Sequence, residues 1–167
     1  TNSFNLARKH GYFLGAKLVR GAYMEKERAR AAERGYPSPM QPSKQATDDA
    51  YNMALRFCLD NLEQIGVINA SHNAESNLLM AELIRQYNHP LNHPHLLSCQ
   101  LLGMSDNLTF NLAAKGYKAA KYVPYGKVAD VVPYLIRRAQ ENSAVTGDMS
   151  RELKMVRQEL VRRGLTK

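Results

Sequence analysis

The sequence is poor in several features that define whole classes of protein. Its 167 residues include no tryptophan and two cysteines, Cys58 and Cys99, each in an apolar context. Two isolated thiols do not make a disulfide framework, so both are predicted to be buried packing residues in a reducing compartment. No apolar run approaches the roughly 18 residues of a membrane-spanning helix. The first residues, TNSFNLARKHGYFLG, also lack the apolar stretch of a secretory signal.

Several ligand-binding signatures are absent too. There is no G-x-G-x-x-G or Walker A motif, which argues against a Rossmann or P-loop nucleotide site. Zinc-finger spacing and an aromatic-interleaved basic patch are missing, so nucleic acid is not an expected partner. His89, His93 and His95 are interrupted by prolines, with no cysteine or carboxylate nearby. They predict a solvent-exposed turn and no metal site.

The positive charge is uneven. Lysine and arginine number 23 against 15 acidic residues, a net charge of +8, and residues 151–167 alone carry +4. Leu153, Val156 and Leu160 recur at helical spacing within that stretch. Residues 151–167 are therefore predicted to be a basic, amphipathic C-terminal helical tail. Its basic face is either solvated or in contact with an anionic membrane surface or an acidic partner.

Short apolar runs alternate with helical patterns along the chain. Strands are predicted over 11–23, 66–73, 95–103 and 117–126, and helices over 24–34, 44–64, 74–87, 105–115 and 127–142. The strands are apolar almost throughout, which predicts an α/β fold whose parallel sheet is covered on both faces. Pro133 is unfavourable inside a helix, so the last helix is expected to begin near Asp130 or Val131.

A polar or aromatic residue recurs at the carboxyl end of each predicted strand. These residues are Arg20 and Tyr23, Ser71 and His72, Leu101 with Gln100, and Tyr122. Active sites of (β/α)8 barrels are built at this edge of the strands. Four β–α units make half of such a barrel, and 167 residues are about two-thirds of its usual length.

Three stretches carry residue types suited to ligand binding. In KLVRGAY (17–23), a glycine lets the backbone approach a flat ligand, although the stretch also suits a plain buried strand. In ASHN (70–73), polar side chains precede a helix whose N-terminus favours an anion; the alternative is an N-cap with a spectator histidine. In YLIRRAQEN (134–142), Arg137 and Arg138 suit bidentate binding of a carboxylate, and Glu141 is spaced to hold a guanidinium. The alternative for this last stretch is a solvated basic face.

Taken together, the motifs resemble a known family. KLVRGAY, ASHN, QLLGM, YVPYG and YLIRRAQEN occur in an order and at spacings similar to those of proline dehydrogenases, from about residue 4 to residue 145. The monofunctional, mitochondrial-type branch is the more similar. The resemblance implies a (β/α)8 TIM-type barrel that binds FAD non-covalently. Residues 1–150 would be its C-terminal half, strands five to eight with their helices, and 151–167 the tail.

The resemblance also implies a reaction and a location. The expected activity is oxidation of L-proline to Δ1-pyrroline-5-carboxylate in proline catabolism. A hydride would pass from proline C5 to flavin N5, and electrons would then pass to a membrane quinone. The expected location is the cytoplasm or mitochondrial matrix, peripheral on the inner membrane. Another carboxylate-binding (β/α)8 enzyme and a non-catalytic fragment are the alternatives. Without the N-terminal half of the barrel, the chain alone is expected to bind FAD weakly and turn over little proline.

Site roles follow from the same resemblance, residue by residue. The expected cofactor-binding residues are Lys17, Val19, Arg20, Gly21, Ala22, Ser71 and His72. The expected catalytic residues are Tyr23, Leu101, Tyr122, Arg137, Arg138 and Glu141. Lys17 stands where bifunctional bacterial members have arginine. The hydroxyl of Tyr122 would crowd a hydroxylated ring, which favours proline over hydroxyproline.

Overall fold

The computed structural model describes residues 2–21, 23–144 and 146–165; the side chains of residues 139–152 lie outside this description. Its elements are α1 (Asn2–His10), β1 (Leu14–Leu18), α2 (Met24–Arg34), α3 (Lys44–Asp60), β2 (Ile65–Asn69), α4 (Ala74–Gln86), β3 (Leu96–Leu101), α5 (Asp106–Ala114), β4 (Ala119–Tyr122), α6 (Val128–Ala144) and α7 (Thr146–Arg162). Residues 1–122 and 123–167 form two compact units. The boundary at residue 150 between catalytic half and tail stays a prediction.

The first unit contains one parallel sheet with the strand order β1-β2-β3-β4. Pairs such as Lys17 with Ile68, Val67 with Leu96 and Leu101 with Tyr122 define its register. Each strand lies beside the next strand in the chain, whereas a doubly wound sheet reverses its order at a switch point. The α/β class and the parallel sheet predicted from the sequence are confirmed.

The two faces of the sheet differ in burial. On the helix-covered face, strand residues pack with α3 and α4 into a core that includes Leu55, Leu59, Ile65, Val67, Leu83, Ile84 and Leu96. The opposite face, called the open face below, consists of Gly15, Lys17, Gly66, Ile68, Leu97, Cys99, Leu101, Ala120 and Tyr122, all half-buried or exposed. The expectation that both faces are covered is therefore not met in the part of the chain that the structure describes.

The two cysteines illustrate this difference. Cys58 lies on α3 and is buried in the core. Cys99 lies in β3 and is only half-buried, because strand residues alternate between faces and its neighbours Ser98 and Gln100 take the buried positions. The prediction of a buried thiol is confirmed for Cys58 and wrong for Cys99.

Helix starts follow local capping chemistry. The Ser43 Oγ accepts a hydrogen bond from the Ala46 amide at 3.1 Å and caps α3. In the second unit, α6 begins at Val128, earlier than the start near Asp130 or Val131 that was predicted from the position of Pro133. The reason is that the Lys127 carbonyl accepts hydrogen bonds from the amides of Asp130 and Val131, so the first turn forms ahead of the proline.

The predicted tail helix is part of α7, which ends at Arg162. Its apolar residues Leu153 and Val156 are both more than half exposed. Glu159 accepts hydrogen bonds from the guanidinium groups of Arg162 and Arg163, and these lower the pKa of Glu159 to about 2. Among the described helices, none combines the length and the apolar character needed to cross a membrane.

Candidate functional site

Lys17 and Tyr122 meet on the open face at the carboxyl end of the sheet. The Lys17 Nζ lies 4.7 Å from the centroid of the Tyr122 ring, within the range of a cation–π interaction. Their strands, β1 and β4, are separated by two others, roughly 14 Å between strand axes at ordinary strand spacing. The two side chains therefore lean towards each other across the open face. Leu101, paired with Tyr122 in the sheet, lies half-buried beside them.

The loop after β1 adds small and strained residues at the same edge. Gly21 has a φ of 67°, and a Cβ at this position would meet no heavy atom within 4 Å. Val19 is half exposed, and Ala22 lies outside the described residues. Tyr23 adopts a φ of 59°, which is unusual for a residue with a side chain. The loop thus combines open space above Gly21 with backbone strain at Tyr23, a combination frequent at ligand sites.

Arg20 lies on the helix-covered side, away from Lys17. Its Nε donates a hydrogen bond to the Asp48 Oδ1 at 2.7 Å, and its Nη1 donates to the Ser71 Oγ at 2.6 Å. Its Nη2 donates to the Ser76 hydroxyl, and the guanidinium stacks 3.7 Å from the Tyr51 ring centroid. Sequence reasoning grouped Arg20 with Lys17, yet their odd spacing along a strand already predicts opposite faces. A role of Arg20 in cofactor binding stays a prediction.

Asp48 is the partner of Arg20 that sequence reasoning missed. Its Oδ2 also accepts a hydrogen bond from the Lys44 ammonium at 2.8 Å. Burial on its own raises the pKa of Asp48, but the Lys44 hydrogen bond and the Arg20 charge outweigh it and hold that pKa below its ordinary value. The only sequence signal for Asp48 was its i+4 spacing from Lys44, because Arg20 is 28 residues away in the chain.

A buried network of polar side chains continues from Arg20 under the sheet. The members beyond Ser71 and Ser76 are Tyr51, Asn69, Asn77, Gln100 and Thr109. The Tyr51 hydroxyl donates to the Asn69 Oδ1 at 2.6 Å, and burial raises the pKa of Tyr51 to about 12. Throughout the described residues, every fully buried side-chain nitrogen and oxygen has a hydrogen-bond partner. The network is satisfied internally, which favours a scaffold role.

The polar side chains of the ASHN stretch after β2 make three different sets of hydrogen bonds. The Asn73 Oδ1 accepts a hydrogen bond from the Ser76 amide at 2.9 Å and caps α4, as the N-cap alternative expected. Ser71 is buried, and its Oγ accepts from the Asn73 amide at 3.1 Å as well as from Arg20. His72 is half-buried, and its Nδ1 lies 2.9 Å from the Ser105 Oγ in the loop before α5.

The arginine pair belongs to the second unit. Arg138 is half-buried, and its Cζ lies 4.9 Å from the Tyr134 ring centroid, whereas Arg137 is exposed. The two guanidinium groups therefore have different surroundings on α6. The side chain of Glu141 lies outside the described residues, so its ion pair with the arginines stays a prediction.

The three histidines lie at the opposite, amino-terminal edge of β3. His89 and His93 have ring centroids 5.7 Å apart, and those of His93 and His95 are 5.2 Å apart. The turn is confirmed, but the three histidine side chains are half-buried within it, and their rings are tilted between His89 and His93 and edge-to-face between His93 and His95. Burial, aided by the neighbouring histidines, lowers the pKa of His93. Within the described residues, no group of three His, Cys, Asp or Glu side chains is arranged to hold a metal ion.

Comparison with known proteins gives a consistent picture. The family model for proline dehydrogenase matches residues 1–151. The chain is 43% identical to human mitochondrial proline dehydrogenase 1 and 42% identical to hydroxyproline dehydrogenase of Xenopus laevis. These alignments cover 98% and 94% of the chain, but 28% and 34% of the relatives. The chain thus spans about a third or less of these proteins.

Solved structures agree with the sequence relatives. A crystal structure of proline utilization A from Bdellovibrio bacteriovorus, inactivated by N-propargylglycine, superposes with a TM-score of 0.76 at 29% identity. A proline utilization A mutant from Bradyrhizobium japonicum superposes with a TM-score of 0.73 at 30% identity. They match 84% and 87% of the chain, but 14% and 15% of the solved chains. With the family match over residues 1–151, these findings show that the chain belongs to the proline dehydrogenase family.

Proposed function

We propose that the protein containing this chain is an FAD-dependent enzyme that oxidises L-proline to Δ1-pyrroline-5-carboxylate. Membership of the proline dehydrogenase family gives the reaction class. The observation that carries the proposal for this chain is the approach of Lys17 to Tyr122 on the open face, since it brings a cation and an aromatic wall to one place. The relatives are several times longer than the matched region, so the proposal concerns the whole protein.

The proposed architecture is a (β/α)8 barrel in which β1 to β4 are strands five to eight. Two features support it: the consecutive parallel strand order and the largely apolar open face, which suits a barrel interior. Four strands leave β1 and β4 each with one sheet neighbour among the described strands. The rest of the barrel would pair with these edges, and the 167-residue chain alone would bind FAD weakly.

The residues on the open face and in the loop after β1 fit a flat, partly apolar cofactor. A Cβ at Gly15 or at Gly21 would meet nothing within 4 Å, so both positions leave room for a ring. Val19 and Leu101 offer apolar contact, and Lys17 offers a positive charge. FAD, when bound, supplies a two-electron acceptor. Ala22 and His72 are proposed to contact it too, and Arg20 and Ser71 to support it by fixing the ends of β1 and β2.

The proposed substrate contacts use three kinds of side chain. Arg137 and Arg138 would bind the carboxylate, with Glu141 holding one guanidinium in place. Leu101 and the two tyrosines, Tyr23 and Tyr122, would pack on the ring and exclude water. Overall identity does not discriminate between substrates, because proline and hydroxyproline dehydrogenases are almost equally similar. The bulk of Tyr122 supports proline.

The proposed electron acceptor is a membrane quinone, reached from the matrix side of the mitochondrial inner membrane. Several relatives at about 40% identity are described as mitochondrial proline dehydrogenases, which supports this location. The basic, amphipathic character of α7 is compatible with an anionic membrane surface.

A visible spectrum of the purified full-length protein tests the proposal directly. We expect a flavin band that bleaches on anaerobic addition of L-proline, and bleaches less with an equal concentration of hydroxyproline. A protein without a flavin band would favour the non-catalytic alternative. A flavin that proline leaves oxidised would favour another carboxylate-binding enzyme of the same fold.

The Arg138→Lys variant tests the carboxylate role. Lysine keeps the charge but loses the planar two-point contact, so the KM for proline should rise about tenfold or more while FAD occupancy stays unchanged. Arg157→Lys, an exposed position on α7, is the matched control and should leave KM unaltered. A parallel loss of FAD in Arg138→Lys would contradict the assigned role.

A further inference from the structure

A tight turn begins at Leu101, the last residue of β3, which is proposed to pack on the proline ring. The Met104 amide donates a hydrogen bond to the Leu101 carbonyl at 3.1 Å, and Gly103 between them has a φ of 80°. A positive φ at the third of four residues is typical of a type II β-turn, and it favours glycine there. The turn therefore fixes the direction in which the chain leaves the sheet after Leu101.

Two consecutive residues of β4 hold the two ends of this turn. At its start, the Leu102 amide donates to the Tyr122 carbonyl at 2.9 Å. At its end, the Lys121 ammonium donates to the Met104 carbonyl at 2.6 Å and pairs with the Asp106 carboxylate at the same distance. Because successive strand residues point to opposite faces, the side chain of Tyr122 lies on the open face and that of Lys121 on the helix-covered face.

The side chain of Lys121 is unusually buried for a lysine. Only 16% of it is exposed, and its neighbour in β3, Gln100, is fully buried. A buried ion pair contributes little to stability compared with apolar side chains of similar size, so packing alone would be served by an apolar residue here. An apolar side chain could not hold the Met104 carbonyl, however. The cation therefore fixes the segment after β3 relative to β4.

We propose that Lys121 is a positioning residue for the pair of side chains, Leu101 and Tyr122, that would pack on the substrate ring. Lys121 fixes the end of the turn, and the turn fixes the backbone of Leu101. Leu101 is in turn the partner of Tyr122 in the sheet, so the spacing of this pair on the open face is set from the covered face. This inference rests on the proposed function, which assigns the substrate contacts to the pair.

Steady-state kinetics of the full-length protein with L-proline is the main measurement. Lys121→Met keeps a long side chain but loses both contacts, so the turn and Leu101 should shift. The KM for proline should rise about three- to tenfold, as for the loss of one contact of ordinary strength, while kcat and the Kd for FAD stay unchanged. Lys121→Arg can still donate to a carbonyl and a carboxylate and should keep the KM within about twofold of the wild type.

Two control variants separate positioning from loss of charge and loss of stability. Lys118 lies at the other end of β4, and its ammonium donates to the Pro94 carbonyl, before β3, at 3.3 Å. Lys118→Met thus loses the same charge and a similar contact at the opposite edge from Leu101, and its KM should equal that of the wild type. Ile84→Val leaves a small cavity in the core, so it should lower the melting temperature without changing the KM.

A double variant tests whether the effect passes through Leu101. In a Leu101→Ala background, Lys121→Met should raise the KM no further, because the truncated side chain no longer reports the position of its backbone. An unchanged KM in Lys121→Met, an equal rise in both backgrounds, or an equal rise in Ile84→Val would overturn the inference about Lys121 alone. A wild-type flavin that proline does not bleach would overturn the proposed function and, with it, the substrate contacts that Lys121 is proposed to position.

Discussion

The two faces of the sheet carry opposite chemistry although alternate residues of the same strands build them. The helix-covered face hides a polar network in which Arg20 contacts Asp48, Ser71 and Tyr51. The open face is largely apolar. Among the described strand residues on this face, Lys17 at the carboxyl end of β1 is the one cation, and it lies beside the Tyr122 ring. Two positive charges in one seven-residue motif thus have different surroundings.

This contrast separates residues that hold the fold from residues available to a ligand. Buried polar groups that satisfy one another are costly to separate, because the remaining partner is left without water. A group on an exposed face is hydrated when its partner is lost, so its removal changes stability little. Substitutions on the covered face should therefore lower the free energy of unfolding, whereas those on the open face should affect ligand binding.

The largest effect is expected from the two cations of the KLVRGAY motif. Arg20→Met removes the guanidinium that pairs with the mostly buried Asp48 carboxylate. The substitution should therefore lower the unfolding free energy of the FAD-free protein by about 3 kcal/mol. Lys17→Met, the control with the same change of charge, should lower it by less than about 1 kcal/mol. Urea denaturation measures both. Equal losses would remove the distinction between the two faces.

A smaller loss is expected at the centre of the buried network. Tyr51→Phe removes the hydroxyl that donates to the fully buried Asn69 Oδ1, which should lower the unfolding free energy by about 1–3 kcal/mol. Tyr125→Phe is the control, since that side chain is 97% exposed and should change stability by less than about 0.5 kcal/mol. A Tyr51→Phe protein as stable as the wild type would mean that the network adds rigidity without stability.

The smallest effect concerns the amino-terminal edge of the sheet. The pKa of His93 is lowered below its ordinary 6.5, chiefly by burial, so the unfolded chain takes up a proton before the folded chain does. The stability that depends on neutral His93 is present above pH 6.5 and declines as the pH falls below it. His93→Gln should therefore show a shallower loss of stability between pH 7 and pH 5 in parallel denaturation curves. Identical slopes would show that His93 does not contribute.

Much of the fold was predictable because its signals are local. Apolar runs indicated all four strands, and helical spacing indicated α3, α4 and α6. The boundaries were less accurate: the first strand, predicted over 11–23, is only Leu14–Leu18. Pairing with β2 ends where Leu18 meets Asn69, and the left-handed Gly21 and Tyr23 then turn the chain away. Strand length depends on the partner strand, which no local pattern contains.

The candidate site was predictable only in part for a similar reason. The motifs identified Lys17, Leu101 and Tyr122, but nothing in the sequence indicated that Asp48 would hold Arg20 or that Ser105 would contact His72. These contacts join residues 28 and 33 positions apart. Both involve short polar side chains of types that are common in helices and turns. Their importance comes from burial and alignment, which arise when separate elements pack.

The sequence by itself determined the alternation of strands and helices, the capping residues of α3 and α4, and the order of motifs that marks the proline dehydrogenase family. These properties depend on neighbouring residues or on residue identity alone. Only the tertiary structure decided which face of the sheet the helices cover, and therefore which cation of KLVRGAY supports the fold and which remains on the open face. Burial depends on what packs against a residue, so the same charge three positions apart has two different environments.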